Sequence, residues 1–179
     1  LILLAKNLKG YHNLVKLVSY SWTEGFYYKP RIDKELLRQY HEGLICSSAC
    51  LGGELPQAIM HDDLEEASRI VEEFKEIFGE DYYLELQRHE VKDPDQRANR
   101  ETFPLQQRAN AQLIELARKY DVKLVCTNDC HFVEQEDAEA HDRLICLSTN
   151  RDLDDPKRML YSKQEWFKTR AEMNEVFAD

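Results

Sequence analysis

The stretch Val125-Cys126-Thr127-Asn128-Asp129-Cys130-His131 is the densest gathering of ligand-type side chains in the chain, and it follows Lys123-Leu124. An apolar, β-branched run that ends abruptly in polar ligands is how a parallel strand presents chemistry at its carboxyl end. Asp129 and His131 are two residues apart. In extended backbone both side chains project to the same side and can reach one ion. A hard oxygen with an imidazole suits zinc, manganese or iron better than calcium. The competing reading is an Asp and a His in a solvated loop.

Two more apolar runs end in candidate ligands. Cys50 follows Leu44–Ser47, and His89 follows Tyr82–Gln87. If the strands are parallel, their carboxyl ends share one face, which is the expected geometry of a barrel active site. The metal set read this way is Cys50, Asp129 and His131, a partial site, with Glu85 and His89 in a second tier. Plainer readings stand beside these. Cys50 can be a packing thiol beside Gly52-Gly53, where the backbone turns tightly into a helix. That turn also offers amides to a phosphate. His89 reads first as a hydrogen-bonded loop imidazole. Glu85, between Leu84 and Leu86 in mid-strand, must pair if buried, with Arg88 or Arg31 as candidate partners. His141, on an otherwise apolar helix face, reads as a packed imidazole, and His12, His41 and His61 have no ligand-type neighbours. The chain has no His-x-His, so three ligands fall short of a catalytic two- or three-metal site.

The five cysteines are an odd number in a chain without the loop-rich character of a disulfide scaffold. Cys46 with Cys50 and Cys126 with Cys130 invite a four-thiolate zinc reading, but zinc knuckles use Cys-x-x-Cys on tight turns. Cys46 and Cys126 lie inside apolar runs, where a free thiol behaves as a small hydrophobe. Reduced thiols in a cytoplasmic protein are the expectation.

The elements that must position these side chains follow a simple order. Strands are predicted at Leu1–Ala5, Leu44–Ser47, Tyr82–Gln87 and Lys123–Thr127. Helical patterns lie over Tyr11–Ser19, after an Asp62 cap with Glu65 three residues later, at Leu105 to Tyr120 and at Ala138 to Ile145. Gly79 closes the second of these. Ser162 with Glu165 and Thr169 with Glu172 have capping-box spacing and predict two short closing helices. The polar segment 90–103 lacks periodicity and reads as a surface loop. Strand and helix in alternation mean parallel pairing with right-handed crossovers, in an open sheet or part of a barrel. No Gly-x-Gly-x-x-Gly follows the first strand, so dinucleotide binding has no support.

With 179 residues the chain can bury the core of one domain. No apolar run approaches the length of a membrane span. The net charge of −10 argues against gripping nucleic acid over a broad face. It leaves room for a small acidic pocket whose bound cation reverses the local sign. The opening Leu1-Ile2-Leu3-Leu4 reads as a buried strand cut into by the start of the sequence, so the chain is expected to be a piece of a longer protein.

The segments Gly25-Phe26-Tyr27-Tyr28-Lys29-Pro30-Arg31-Ile32-Asp33, Ser48-Ala49-Cys50-Leu51-Gly52-Gly53-Glu54, Tyr83-Leu84-Glu85-Leu86-Gln87-Arg88-His89 and Thr127-Asn128-Asp129-Cys130-His131 occur in this order, with Leu153-Asp154-Asp155-Pro156 near the end. Together they closely resemble the PHP (polymerase and histidinol phosphatase) domain of bacterial DNA polymerase III alpha subunits, over essentially the whole chain. The resemblance implies an α/β fold, part of a distorted (β/α)7 barrel with parallel strands, outer helices and a multinuclear metal site at the carboxyl face. In metal-binding members the ligands come from an amino-terminal His-x-His, further His, Asp and Glu residues, a Cys and a final Asp-x-His. Cys50 matches that Cys, and Asp129 with His131 match the last pair. The earlier ligands would precede Leu1, so this piece is expected to hold no stoichiometric ion and to be inactive as a nuclease.

For the intact domain the resemblance implies a phosphoesterase or 3′–5′ exonuclease using zinc or manganese. For the parent it implies DNA-directed DNA synthesis with magnesium in the cytoplasm, with DNA, a proofreading exonuclease subunit and a sliding clamp as partners and no membrane. Nothing in these residues shows nucleotidyl transfer. The alternatives are a structural, subunit-binding module with a vestigial site, or a free-standing PHP phosphatase. The Gly25–Asp33 and Leu153–Pro156 segments speak for the polymerase branch. A barrel lacking strands exposes an edge, so self-association of the piece is expected.

Overall fold

The computed structural model describes residues 1–92 and 96–178. The chain packs as two compact units, Leu1–Glu85 with Leu113–Val125, and Leu86–Gln112 with Cys126–Asp179.

The first unit is built on a sheet of order β1-β2-β3-β4, with β1 at Ile2–Ala5, β2 at Leu44–Ser47, β3 at Tyr82–Leu86 and β4 at Lys123–Cys126. Helices α1 (Leu8–Thr23), α2 (Lys34–Tyr40), α3 (Glu54–Met60) and α4 (Leu64–Phe78) connect the first three strands. Leu17, Leu37, Leu55, Ile59, Ile70, Val71 and Leu84 are fully buried and form the core. Phe74 stacks on Tyr82 with ring centroids 5.5 Å apart. Burial of such side chains is the main favourable term in folding.

The helix starts are capped by side chains that accept orphan amide protons. Asn7 accepts from the Gly10 amide and Asp33 from that of Leu36. The expected cap at Asp62 falls instead on Asp63, whose carboxylate accepts from the Glu66 amide. Asp62 is left-handed (φ 61°) and its own amide donates to the Ile59 carbonyl, closing the turn after α3. Gly79 ends α4 at φ 54°, a region a glycine enters without steric cost.

The sheet is parallel between β2 and β3, where Cys46 pairs with Tyr82 and Ser47 with Tyr83. It is antiparallel between β1 and β2, with Ile2 opposite Ser47 and Ala5 opposite Leu44. This corrects the all-parallel expectation. The physical reason lies in the connection. Helices α1 and α2 pack on each other, with Tyr20 and Tyr40 stacked at 5.8 Å, so the chain returns to the end of the sheet it left. There the Lys6 amide donates to the Gly43 carbonyl, Gly43 turns at φ 76°, and β2 must run back along β1. Alternation of strand and helix does not reveal which end a connection returns to.

At the edge, β1 leaves Ile2 and Leu4 exposed, and α1 exposes Leu8, Tyr11, Val15, Val18 and Trp22. Among the described residues no helix is long and apolar enough to cross a membrane.

The second unit contains α5 (Arg97–Glu101), α7 (Ala138–Thr149) and α8 (Arg170–Val176). Helix α6 (Phe103–Tyr120) contributes its first residues, up to Gln112. The segment 90–103, expected as a surface loop, carries α5, while 93–95 lie outside the described residues. Arg97 pairs with Glu101 at 2.8 Å, Ala98 is buried, and the Asn99 amide bonds both the N–H and the C=O of Val91. One turn of helix is too short to print a period on the sequence. The two predicted closing helices fare differently. Thr169 and Glu172 make a full capping box at the start of α8. Glu165 accepts from both the amide and the hydroxyl of Ser162, yet no helix follows, because Lys163 turns left-handed at φ 67°.

Replacing Gly10 by Ala should test the α1 turn. A Cβ there would meet the Gly43 carbonyl oxygen at 1.8 Å, and neither backbone can yield easily. Denaturant unfolding is expected to show a loss of about 3 kcal/mol. Gly52→Ala, whose nearest neighbour is the Cys50 sulfur at 3.8 Å, should stay within about 0.5 kcal/mol on steric grounds.

Candidate functional site

In the second unit the chain leaves β4 through a loop fixed by buried hydrogen bonds. The Thr127 amide donates to the Leu86 carbonyl at 3.0 Å, and Gln87 Nε2 donates to Thr127 Oγ1. Asn128, only 5% exposed, is held through every polar atom of its side chain. Its Nδ2 donates to the carbonyls of Gln164 and Trp166, both at 2.8 Å, and its Oδ1 accepts from Lys168 Nζ at 3.3 Å. Its main-chain carbonyl accepts from His89 Nε2 at 3.0 Å. A buried polar group is tolerable only when satisfied in this way.

Asp129 then turns left-handed at φ 45°. The extended backbone expected here is not what brings its carboxylate and His131 together; the turn does. Asp129 Oδ1 lies 3.7 Å from His131 Nε2, and both side chains are partly exposed. The His131 amide donates to the Glu165 carbonyl at 2.8 Å. Its ring packs on Tyr161, centroid to centroid 4.5 Å, and on His141 at 5.6 Å.

His89 is placed differently. It is buried, and both ring nitrogens are engaged by protein groups. A carbonyl can only accept, so Nε2 carries the proton and Nδ1 accepts from Gln106 Nε2 at 3.0 Å. Gln106 completes the exchange by accepting the His89 amide proton. Burial holds the imidazole pKa below its ordinary value, against the pull of the nearby Glu165 carboxylate. In this arrangement His89 is a hydrogen-bonded imidazole with both ring nitrogens engaged. Lys168 completes the layer behind the loop. Its ammonium donates to the Gln164 carbonyl and lies 3.4 Å from the Trp166 ring centroid. Burial pushes its pKa down to about 8.

The first unit holds the other two candidates. Cys50 lies in the turn that follows β2, half-buried, beside the left-handed Ala49 (φ 64°). Its carbonyl accepts from the Gly53 amide at 2.8 Å. Gly53 must be glycine, since a Cβ would meet the Ser48 carbonyl oxygen at 2.2 Å. Glu85 is buried in β3; its carboxylate accepts the Ser47 hydroxyl, and its amide donates to Ser48 Oγ. Ser47 and Ser48 thus supply polar contacts to Glu85.

All five cysteines are free. Burial pushes the Cys46 thiol up to about 12, which leaves it inert at neutral pH. The carboxylate and imidazole of Asp129 and His131 fit two positions around a zinc or manganese ion by donor type. Among the described residues, no group of three or more His, Cys, Asp and Glu side chains is placed to hold a metal ion. Asn128, Lys168 and Tyr161 were not singled out from sequence. The one signal for Asn128 was its place between the strand and the Asp-x-His; the other two come from distant segments that only folding brings in.

The PHP domain family matches residues 1–89. The DNA polymerase III alpha subunit of Borreliella burgdorferi is 45% identical over the whole of this chain, which covers 15% of that protein. That of Thermus aquaticus is 42% identical over the whole chain, covering 14% of it. That of Aquifex aeolicus is 46% identical over 84% of this chain and 12% of its own length. The chain thus spans well under a fifth of the length of these relatives.

The buried neutral His89 predicts a pH dependence. Its folded pKa lies below the ordinary 6.5, so in acid the unfolded chain takes up a proton that the folded chain refuses. Stability attributable to His89 is present above pH 6.5 and falls as the pH drops below it. Denaturant unfolding between pH 7 and 5 should show this decline in the native chain. In His89→Gln the protein should be less stable at pH 7, with a flatter profile.

Proposed function

Given that this chain belongs to the PHP-domain family and is similar along its whole length to bacterial DNA polymerase III alpha subunits, we propose that it is the PHP region of such a subunit. In this reading the parent protein synthesises DNA in chromosome replication, using magnesium, in the cytoplasm. DNA, a proofreading exonuclease subunit and a sliding clamp are its partners. The PHP region contributes metal-dependent phosphoesterase chemistry, of the 3′–5′ exonuclease type, with zinc or manganese.

One observation carries the metal-dependent reading. The Asp129 and His131 side chains face each other at 3.7 Å and stay open to solvent, on a loop whose neighbours are almost wholly satisfied by protein groups. His89 and Asn128 show what this chain does with polar side chains it uses for structure: it buries them and fills every bond. A carboxylate and imidazole left half-free on a fixed loop are suited to an outside ligand. Cys50, half-buried after β2, remains a proposed ligand-type thiol of the first unit. When bound, the metal would polarise the phosphodiester and activate water. This chain's own part is to hold the Asp129 and His131 donor atoms in place and to keep the loop from relaxing.

A second reading, a structural and subunit-binding module, draws on the lack of any group of three candidate ligands among the described residues.

Titration of the purified chain with Mn²⁺ or Zn²⁺, followed calorimetrically, separates the two. Weak binding is expected, and Asp129→Ala or His131→Ala should lower the affinity by at least about tenfold. If both variants bind as the native chain does, the ligand assignment is wrong. If the native chain binds neither ion, the structural reading takes its place.

A further inference from the structure

The loop explains how the His131 backbone is placed, but not what orients its ring. A metal-binding imidazole is ordinarily fixed by a hydrogen bond from its second nitrogen to a carboxylate or carbonyl. Here the partly exposed ring packs against two other rings. Tyr161 lies 4.5 Å from it, tilted at 58°, and His141 lies 5.6 Å away at 40°. These two also touch each other, 5.1 Å apart at 72°, so the three rings form a closed triangle. Phe132 backs His141 from behind at 5.1 Å.

The triangle is anchored on sides remote from the loop. His141 sits in the first turn of α7, and the next residue, Asp142, is buried. Asp142 receives both terminal nitrogens of Arg158, with Nη2 to Oδ2 at 2.9 Å. Arg158 lies three residues before Tyr161 in sequence. A forked, largely buried ion pair therefore locks α7 to the strand of chain that carries Tyr161. Beyond Tyr161, Ser162 is fixed by Glu165, whose carbonyl takes the His131 amide proton. Each ring of the triangle thus hangs from a backbone held by hydrogen bonds.

We infer that His141 and Tyr161 are positioning residues for His131, clamping its imidazole by ring packing so that Nε2 stays turned toward the Asp129 carboxylate. The inference rests on the reading of His131 as a ligand for its purpose, but not for its geometry. An edge-on or tilted ring contact has a preferred angle, so it restricts χ1 and χ2 of His131 without consuming a nitrogen lone pair. Both nitrogens remain available for chemistry, which a hydrogen-bonded orienting group would not allow. The packed imidazole expected at His141 is thus given a task.

Side-chain NMR relaxation of the metal-free chain tests the clamp. With imidazole carbons labelled, His131 should have an order parameter near 0.85 in the native chain and fall below about 0.6 in His141→Ala and in Tyr161→Ala. His141→Phe, which keeps a ring but no nitrogen, should restore the native value. The His89 imidazole, in the same unit but outside the triangle, should not change in any variant and reports that the fold is intact. His131 relaxation unchanged in both alanine variants, or as loose in His141→Phe as in His141→Ala, would overturn the inference. Addition of Mn²⁺ then examines the ligand reading separately: without selective broadening of His131 in the native chain that reading fails, while the relaxation result still decides the clamp.

Discussion

The side chain of Asn128 is the bond on which the loop after β4 depends. It binds two carbonyls and an ammonium, while its main-chain carbonyl takes a proton from His89. Three of these partners lie in residues 164–168 and the fourth follows β3, so the side-chain amide ties the strand end to 164–168 while the main-chain carbonyl ties it to His89. Net worth per such bond is only about 1 kcal/mol, but a buried donor left unmatched costs about 1–3 kcal/mol. The asymmetry makes the arrangement all-or-none. Next to the seated Asn128, Asp129 turns left-handed, and its carboxylate lies 3.7 Å from His131 Nε2.

That constraint also explains the division of labour among polar side chains. Behind the loop lie His89, Gln106, Lys168 and the Glu165 carboxylate, all buried. In front lie Asp129 and His131, partly open. Burial in this layer lowers the proton affinity of both His89 and Lys168. The open pair keeps its donors. In the proposed reading structure and chemistry are carried by different residues a few positions apart in sequence, and the clamp of His141 and Tyr161 works by shape, without drawing on the hydrogen bonds behind it.

Much of this was legible in the sequence wherever a pattern is local. All four strands lie within a residue or so of their predicted ends, and Gly79, the Thr169–Glu172 box and the long α6 helix follow from spacing alone. The Asp129–His131 pair was legible as a ligand-type couple, although a turn and not an extended backbone brings it together. What failed were matters decided by distant partners. The antiparallel β1 depends on how α1 folds back against α2 and Gly43, which no strand pattern records. The shift of a cap from Asp62 to Asp63 depends on how the preceding turn closes. Ser162 and Glu165 form the bonds of a cap, and the sequence cannot say that Lys163 turns the chain away from a helix. The short α5 carries too few residues to show a period.

The outer face of α1 has a colloidal consequence. Leu8, Tyr11, Val15, Val18 and Trp22 recur at alternating intervals of three and four residues and stand exposed, the spacing by which helices seat against one another. A surface of that kind attracts its like over a few ångströms only. The long-range repulsion of a net charge of −10 opposes so close an approach of two copies. Salt shortens that repulsion, from a screening length of about 10 Å at 0.1 M to about 3 Å at 1 M, while leaving the apolar attraction intact. Concentrated electrolyte therefore favours contact between copies through this face, and dilute buffer opposes it.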